Sequence, residues 1–133
     1  MHKNVKKTAS TKKVLVVDDD EQVCFIMRWW LEKDNCQVIV AGNGKDGLQA
    51  AWREHPDLIF LDIAMPEMNG LETLKRLKAD MRTCSIHVIL LTGLDDSEIM
   101  REAIYQYGER YMVKPITRQS LKAVIAQTLS GQG

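Results

Sequence analysis

Five short apolar segments, each followed by a longer amphipathic one, constrain the fold of this chain more than any other feature. The short segments are rich in β-branched side chains and contain at most five residues. Continuous apolar runs of this length are typical of strands in a sheet that is covered on both faces. We therefore predict strands at Lys13–Val17, Cys36–Val40, Leu58–Leu61, His87–Leu91 and Tyr111–Val113.

The longer segments carry apolar residues at helical spacing, the first of them at i, i+3, i+4 and i+7. The five stripes are Val23, Ile26, Met27 and Trp30; Leu48, Ala51 and Trp52; Leu71 and Leu74, continued by the alkyl chain of Lys78; Ile99, Ala103 and Ile104; and Leu121, Val124, Ile125 and Leu129. We expect Asn69, with Glu72 three residues later, to cap the third helix, and Asp95 or Asp96 to cap the fourth. Five alternating strand–helix units predict an α/β fold with a mostly parallel sheet and helices on both faces.

Charge divides the chain into a short basic segment and an acidic remainder. The 133 residues include 18 Lys or Arg and 18 Asp or Glu, but residues 1–13 contain five lysines and no acid. Residues 14–133 therefore carry 13 basic against 18 acidic side chains, a net charge of −5. We predict a basic tail at 1–12, one domain at 13–130 and a flexible end at 131–133. The acidic balance of the domain argues against direct nucleic-acid binding.

Membrane insertion and zinc binding are not expected. No wholly apolar stretch approaches the roughly 20 residues that a spanning helix needs, and the lysine-rich N-terminus lacks the apolar part of a secretory signal. The cysteines, Cys24, Cys36 and Cys84, are odd in number, and with the three scattered histidines they match no metal-ligand spacing. We interpret the three cysteines as reduced thiols of a cytoplasmic protein.

Charged and hydroxyl side chains follow four of the five predicted strands. Asp18 and Asp19 follow the first strand, Asp62 the third, Thr92 the fourth and Lys114 the fifth. A single residue of this kind is typical of a cap or a solvated loop. The carboxyl ends of parallel strands, however, meet at one edge of the sheet, where ligands bind. Their joint occurrence therefore indicates one shared site.

Three neighbouring carboxylates need cations. Two carboxylates about 4 Å apart repel by roughly 4 kcal/mol at an effective dielectric constant of 20, and Lys114 offsets only one of the three negative charges. Oxygen ligands in an open site favour Mg²⁺ over Zn²⁺. Carboxylates, a cation, a hydroxyl and an ammonium group together indicate a site that moves a phosphoryl group onto an aspartate.

Four segments at the strand ends match a known pattern: Asp18-Asp19, Leu61–Gly70 (LDIAMPEMNG), Leu91-Thr92 and Tyr111–Pro115 (YMVKP). In order and spacing they resemble the receiver domain of two-component response regulators, of the single-domain, chemotaxis-regulator-like type. The resemblance covers Lys13 to Leu129. It implies a three-layer, flavodoxin-like (βα)5 fold with a central five-stranded parallel sheet.

The same resemblance implies roles for the residues at the strand ends. Asp62 would be the phospho-acceptor, taking a phosphoryl group from a histidine kinase or a histidine phosphotransfer protein. The protein would catalyse only its own phosphorylation and dephosphorylation. Mg²⁺, for which Mn²⁺ is an acceptable substitute, would be held by the carboxylates of Asp18, Asp19 and Asp62 and by the backbone carbonyl of Ala64.

The resemblance also implies which residues respond to phosphorylation. Thr92 and Lys114 would contact the phosphoryl oxygens, and the Lys114-Pro115 peptide bond would be cis. Tyr111 would be the aromatic switch residue, whose ring turns inward as Thr92 shifts. The alternative for Tyr111 is a half-buried aromatic on an edge strand.

Two departures from the family pattern carry expectations. Residues 108–110 read Gly-Glu-Arg instead of the commoner Gly-Ala-Asp, so dimerisation through the last two helices is not expected and we predict a monomer or weak dimer. Ala64 and Leu94, two positions after Asp62 and Thr92, are apolar and cannot orient an attacking water. We therefore expect the phosphorylated protein to lose its phosphoryl group slowly by self-dephosphorylation.

Phe25 and Trp29 lie one turn apart on the first helix, opposite its predicted apolar face. They are either incidental surface aromatics or a docking patch for a kinase or phosphotransfer helix bundle.

Two other functions compete with a phospho-accepting receiver. A haloacid-dehalogenase-like phosphatase would use Asp18 and Asp20 as its opening motif, but it needs acids after Lys114, where none occur, and it gives Asp62 no role. A phosphorylation-independent, receiver-like binding module would be expected to lack one of the aspartates or the lysine. Whether the chain is free-standing or part of a longer regulator stays open, as does a contact between the tail and an acidic partner.

Overall fold

The computed structural model describes residues 11–65, 68–93, 97–107 and 109–129. Within them, five strands alternate with five helices. The strands are β1 (Lys13–Val17), β2 (Gln37–Ala41), β3 (Leu58–Asp62), β4 (His87–Thr92) and β5 (Arg110–Val113). The helices are α1 (Glu21–Lys33), α2 (Gly44–Glu54), α3 (Gly70–Ala79), α4 (Ser97–Tyr107) and α5 (Arg118–Leu129).

The strands form one parallel sheet in the order β2-β1-β3-β4-β5. This order, with one helix after each strand, confirms the flavodoxin-like (βα)5 fold. The second strand begins one residue later than predicted, because the Cys36 N–H still donates to the Leu31 carbonyl in the turn that ends α1 (3.0 Å). The parallel register aligns the carboxyl ends of β1, β3 and β4 at one edge.

Both faces of the sheet are covered, as the continuous apolar strands predicted. One face packs on α2, α3 and α4 through side chains such as Leu48, Leu74 and Ala103. The other face packs on α1 and α5 through Met27 and Leu121. Every residue of β3, the central strand, is buried. The last side chain of the central strand is therefore largely shielded from solvent.

The helix caps agree with the sequence pattern. The Asn69 side chain accepts from the Glu72 N–H at 2.9 Å and begins α3.

The predicted buried face of α1 is partly wrong, because its fully buried residues are Cys24, Met27 and Leu31. The other predicted members lie at the edge of the same cluster, since α1 is rotated so that Cys24 faces the end of β1.

Several expectations lie outside the described residues, namely the first ten residues of the basic tail, the end at 131–133, the capping aspartates Asp95 and Asp96, Leu94 and Gly108. The side chain of Ile99 is likewise outside them. None of the helices within the described ranges combines the length and apolar character needed to cross a membrane.

Candidate functional site

Three carboxylates meet at the carboxyl edge of the sheet. Asp18 and Asp19 follow β1 and Asp62 ends β3, and each offers an oxygen atom within 4.8 Å of the others. Asp18 and Asp62 are buried, with 1% and 3% of their surface exposed, whereas Asp19 is exposed. The structure therefore brings together the three acids that the sequence placed at strand ends, and leaves the cluster open on the side of Asp19.

Asp18 is held by the turn that leads from β1 into α1. Its Oδ1 accepts from the Asp20 N–H at 2.9 Å, and its own N–H donates to the Ala41 carbonyl at 3.1 Å. Asp20 also caps α1, accepting from the Gln22 N–H at 2.9 Å. The Cys24 thiol, one turn into the helix, donates to the Asp18 carbonyl at 3.3 Å. The start of α1 therefore fixes both the backbone and the side chain of Asp18.

Cys24 is a site neighbour that the sequence analysis missed. Burial and the charge of Asp18 raise the pKa of its thiol to about 11. The thiol thus stays protonated and acts as a hydrogen-bond donor rather than a nucleophile. The only signal in the sequence was its place six residues after Asp18 on a helix that packs on β1.

Asp62 is held by the loop that follows β3 and by the start of α3. Its Oδ1 accepts from the Ala64 N–H at 3.2 Å. The N–H of Gly70, the first residue of α3, donates to the Ile63 carbonyl at 3.0 Å. A Cβ atom at Gly70 would collide with the Asp62 carbonyl and the Ile63 Cα. A glycine is therefore required where α3 packs on the backbone of Asp62, a role that the sequence analysis did not assign.

Lys114 joins the two buried carboxylates. Its Nζ lies 3.1 Å from Asp18 Oδ2 and 3.4 Å from Asp62 Oδ2. Its backbone N–H donates to the Thr92 carbonyl at 2.7 Å, which ties the end of β5 to the end of β4. The peptide bond between Lys114 and Pro115 is cis. The lysine is therefore fixed at its backbone and directed into the carboxylate cluster.

The hydroxyl and aromatic candidates lie on the same face of the β4–β5 pair, because Tyr111 is the register partner of Leu90, two residues before Thr92. Thr92 is buried, and its hydroxyl donates to the Met112 carbonyl in a long bond of 3.5 Å. Tyr111 has 45% of its surface exposed. Its ring is therefore turned toward solvent in this structure.

Burial and like charge perturb the titration of the cluster. Burial and the charge of Asp18 raise the pKa of Asp62 to about 7, against an opposing effect of Lys114. Burial alone would lower the pKa of Lys114, but its contacts with Asp18 and Asp62 raise it above its ordinary value. One ammonium group therefore does not neutralise the three acids. The oxygen donors, the excess negative charge and the open side fit a hard divalent cation such as Mg²⁺.

The remaining candidates lie outside the acidic cluster. Phe25 and Trp29 are exposed by 69% and 50%, on the outward side of α1, as predicted. The Lys33 ammonium stacks 4.6 Å from the centroid of the Trp29 ring. Glu109, in the stretch that departs from the family pattern, turns inward and pairs with Lys78 at 2.8 Å.

Residues 14–126 match the family model described as the response regulator receiver domain. The chain belongs to this family. Protein PilH of Pseudomonas aeruginosa is 34% identical over 119 residues, which are 90% of this chain and 98% of PilH. The regulatory protein PhoP of Bacillus subtilis is 31% identical over 118 residues, 89% of this chain, and the chain spans 48% of its length.

Solved structures agree with the family assignment. A CheY-like receiver domain from Methanospirillum hungatei superposes with a TM-score of 0.83 at 26% identity, covering 91% of this chain and 95% of that one. The receiver domain of a sensor histidine kinase from Pseudomonas aeruginosa, which holds a magnesium ion in its active-site cleft, shares the fold with a TM-score of 0.81 at 21% identity. That alignment covers 92% of this chain and 100% of the kinase receiver.

Family membership settles the general function. Receiver domains are signalling modules of two-component systems, are phosphorylated by histidine kinases or phosphotransfer proteins, and bind Mg²⁺ at an acidic site. The prediction of a two-component receiver is thus confirmed, and nothing in the family, the relatives or the fold favours a haloacid-dehalogenase-like phosphatase.

Proposed function

We propose that Asp62 is the phospho-acceptor of this receiver domain. The observation that carries the proposal is the position of Asp62 at the end of the central strand, between Asp18 at the end of β1 and Thr92 at the end of β4. Asp18 and Asp62 are engaged alike, each by a backbone N–H on one carboxylate oxygen and by Lys114 on the other, so the central position of Asp62 is what favours it. Asp19 is exposed and lies outside the ion pairs of Lys114.

A divalent cation fits beside this acceptor. We infer that the carboxylates of Asp18, Asp19 and Asp62, together with the backbone carbonyl of Ala64, hold Mg²⁺, with Mn²⁺ as a substitute. When bound, the ion would supply the positive charge that Lys114 alone does not provide and would offset charge on the phosphoryl oxygens.

The transfer itself needs little from the protein beyond positioning. An Asp62 carboxylate oxygen attacks phosphorus in line, the bond from phosphorus to the donor's imidazole nitrogen breaks, and that nitrogen keeps the electron pair. Lys114 offsets charge on the phosphoryl oxygens, and the Thr92 hydroxyl donates a hydrogen bond to one of them. For this step Thr92 gives up its long bond to the Met112 carbonyl, which costs little.

The switch is expected at the β4–β5 pair. The Lys114 N–H to Thr92 carbonyl bond of 2.7 Å links the ends of the two strands. A movement of Thr92 toward the phosphoryl group is thereby passed to β5, where the exposed ring of Tyr111 turns inward. The surface around Thr92 and Tyr111 would then bind a downstream protein or pass the phosphoryl group on.

Phe25 and Trp29 are proposed as part of the surface that receives the phosphodonor. They lie on the helix that begins next to Asp18 and Asp19, so a kinase or phosphotransfer helix seated on them would bring its histidine near the site. Phe25→Ala with Trp29→Ala should slow transfer from such a donor while labelling by acetyl phosphate is unchanged. Tyr105→Ala, at an aromatic that is 91% exposed elsewhere, is the matched control. A donor of this kind implies a cytoplasmic location.

Labelling by acetyl phosphate tests the site assignment. The native chain should gain one phosphoryl group in the presence of Mg²⁺ and none in the presence of EDTA. Asp62→Asn should abolish the gain, whereas Asp46→Asn, at an exposed acid on α2, should not. A native chain that folds and binds Mg²⁺ yet gains no phosphoryl group would favour the phosphorylation-independent binding module.

A further inference from the structure

The acidic cluster opens into a cavity of about 400 Å³ between α1 and the carboxyl end of β2. Among the described residues, three acids, Asp18, Asp19 and Glu21, line the cavity together with a single base, Arg28. The Arg28 guanidinium is engaged elsewhere, since it donates to the Val38 carbonyl at 3.2 Å and lies 3.6 Å from a glutamate one turn along α1. The cavity therefore keeps an excess of negative charge.

An aromatic ring suits the same cavity to an ammonium group on an alkyl chain. Phe25 lines the cavity from α1 and has 69% of its surface exposed. Aromatic faces attract ammonium groups, and the methylene groups of a lysine pack on apolar surface while the charge stays in water or beside carboxylates. Asp19 and Glu21 are exposed, so a cation from outside can reach both. These features together fit a lysine side chain.

The first ten residues of the basic tail carry such side chains. They contain three lysines and no acid. The tail enters the domain beside β2, because the Lys12 carbonyl accepts at 2.8 Å from the N–H of Gln37, the first residue of that strand. Val40, near the other end of β2, lines the cavity. The tail and the cavity thus lie at opposite ends of one edge strand.

Chain length decides which lysine reaches the cavity. Asp19 lies eight positions after Thr11, so the two are at most about 28 Å apart. Most of this stretch is the extended strand β1, which brings the distance close to that limit. Lys3, eight positions before Thr11, can span the same distance, and its side chain adds further reach. Lys7, four positions before Thr11, can span only about 14 Å and falls short.

We propose that the basic tail folds back along β2 and places the Lys3 ammonium in the cavity, against Asp19 and Glu21. There the lysine competes with the divalent cation for Asp19, so the tail lowers the metal affinity of the site. Attachment to the same chain makes the contact intramolecular and therefore independent of any free amine. The competition rests on the proposed metal site, whereas the contact itself does not.

Carbodiimide crosslinking of the whole chain in EDTA, without a phosphodonor, tests the contact separately from the phosphorylation site. The reagent joins a carboxylate to an amine that touches it, and peptide mass spectrometry identifies the pair. We expect crosslinks from Lys3 to Asp19 or Glu21 in the monomeric fraction, and their suppression by saturating Mg²⁺. The proposal is overturned if Lys3 crosslinks only to acids at the other end of the sheet, such as Asp57, only to a second chain, or to no acid.

Calorimetric titration with Mg²⁺ measures the competition. At an ionic strength of about 0.1 M, Lys3→Gln should raise the association constant about two- to fivefold over the native chain, as expected for the loss of one exposed ion pair. The gain should shrink at about 1 M salt, where the screening length is about 3 Å. Lys7→Gln is the matched control, because it removes the same charge from the same segment, and it should leave the constant unchanged.

The two experiments separate the contact from the metal site. Equal gains in Lys3→Gln and Lys7→Gln would reveal a general effect of charge and overturn the proposal, as would the absence of a gain in Lys3→Gln. A native chain that yields the Lys3 crosslinks but binds no Mg²⁺ would support the contact and refute the proposed metal site.

Discussion

Replacing Asp62 by asparagine should stabilise the protein when no metal is present. Asp62 is 3% exposed, lies beside the buried Asp18, and shares a single ammonium group with it. Asparagine has nearly the same shape and keeps an oxygen for the Ala64 N–H, but it carries no charge. The substitution thus removes like-charge repulsion and the cost of burying a carboxylate while leaving the packing intact.

The size of the effect follows from the titration of Asp62. Its pKa rises from 3.8 to about 7 in the folded chain, and each pKa unit corresponds to about 1.4 kcal/mol. The folded state therefore loses stability progressively as the pH rises from 4 to 7, and above pH 7 the full penalty is about 4 kcal/mol. Because Lys114 loses one partner in the variant, we expect a net gain of about 2 to 4 kcal/mol near pH 8 and almost none near pH 4.

Urea unfolding in EDTA at the two pH values measures this difference, with Asp46→Asn as the control at an exposed acid. Saturating Mg²⁺ should stabilise the native chain more than the Asp62→Asn variant, since the variant lacks one carboxylate ligand. A variant that is no more stable than the native chain near pH 8, or whose gain is equally large near pH 4, would refute the electrostatic account of the cluster.

Three further predictions concern the same site. Gly70→Ala should destabilise the chain by about 1 to 3 kcal/mol in urea unfolding, because its methyl group meets the Asp62 backbone. Gly42→Ala is the control and should not destabilise the chain, because a Cβ there meets nothing within 4 Å. Equal losses of stability in the two variants would contradict the steric role of Gly70. Mg²⁺ affinity, measured by calorimetry, should rise with pH up to about 7, as Asp62 loses its proton; a pH-independent affinity would count against Asp62 as a ligand. Phospho-Asp62 should persist for minutes or longer, since Ala64 and Leu94 cannot orient water, and a lifetime of seconds would disprove that reasoning.

Much of the fold follows from the sequence because the signals are local. Each strand is a short apolar run, and each helix carries an apolar stripe, so alternation alone implies parallel strands with helices on both faces. The site follows for the same reason, since Asp18, Asp62 and Lys114 directly follow strands whose ends must meet. Asn69 is likewise a local signal, and it caps α3 as predicted.

Other features depend on how the elements pack, which no local pattern specifies. The rotation of α1 that buries Cys24 instead of Val23 is set by its contact with the end of β1. The need for glycine at position 70 arises only once α3 approaches the backbone of β3. The contact between Arg28 and the Val38 carbonyl joins an exposed helix face to a sheet edge. Each depends on a distance between elements rather than on a sequence period.

The most direct test of the central claim is to locate the phosphoryl group. After labelling by acetyl phosphate with Mg²⁺, borohydride reduces an aspartyl phosphate to homoserine, and peptide mass spectrometry then identifies the modified position. We predict homoserine at position 62 alone, and none in samples labelled in EDTA. Homoserine at position 18 or 19, or a phosphoryl group found on a serine or threonine with position 62 unmodified, would contradict the assignment of Asp62 as the phospho-acceptor.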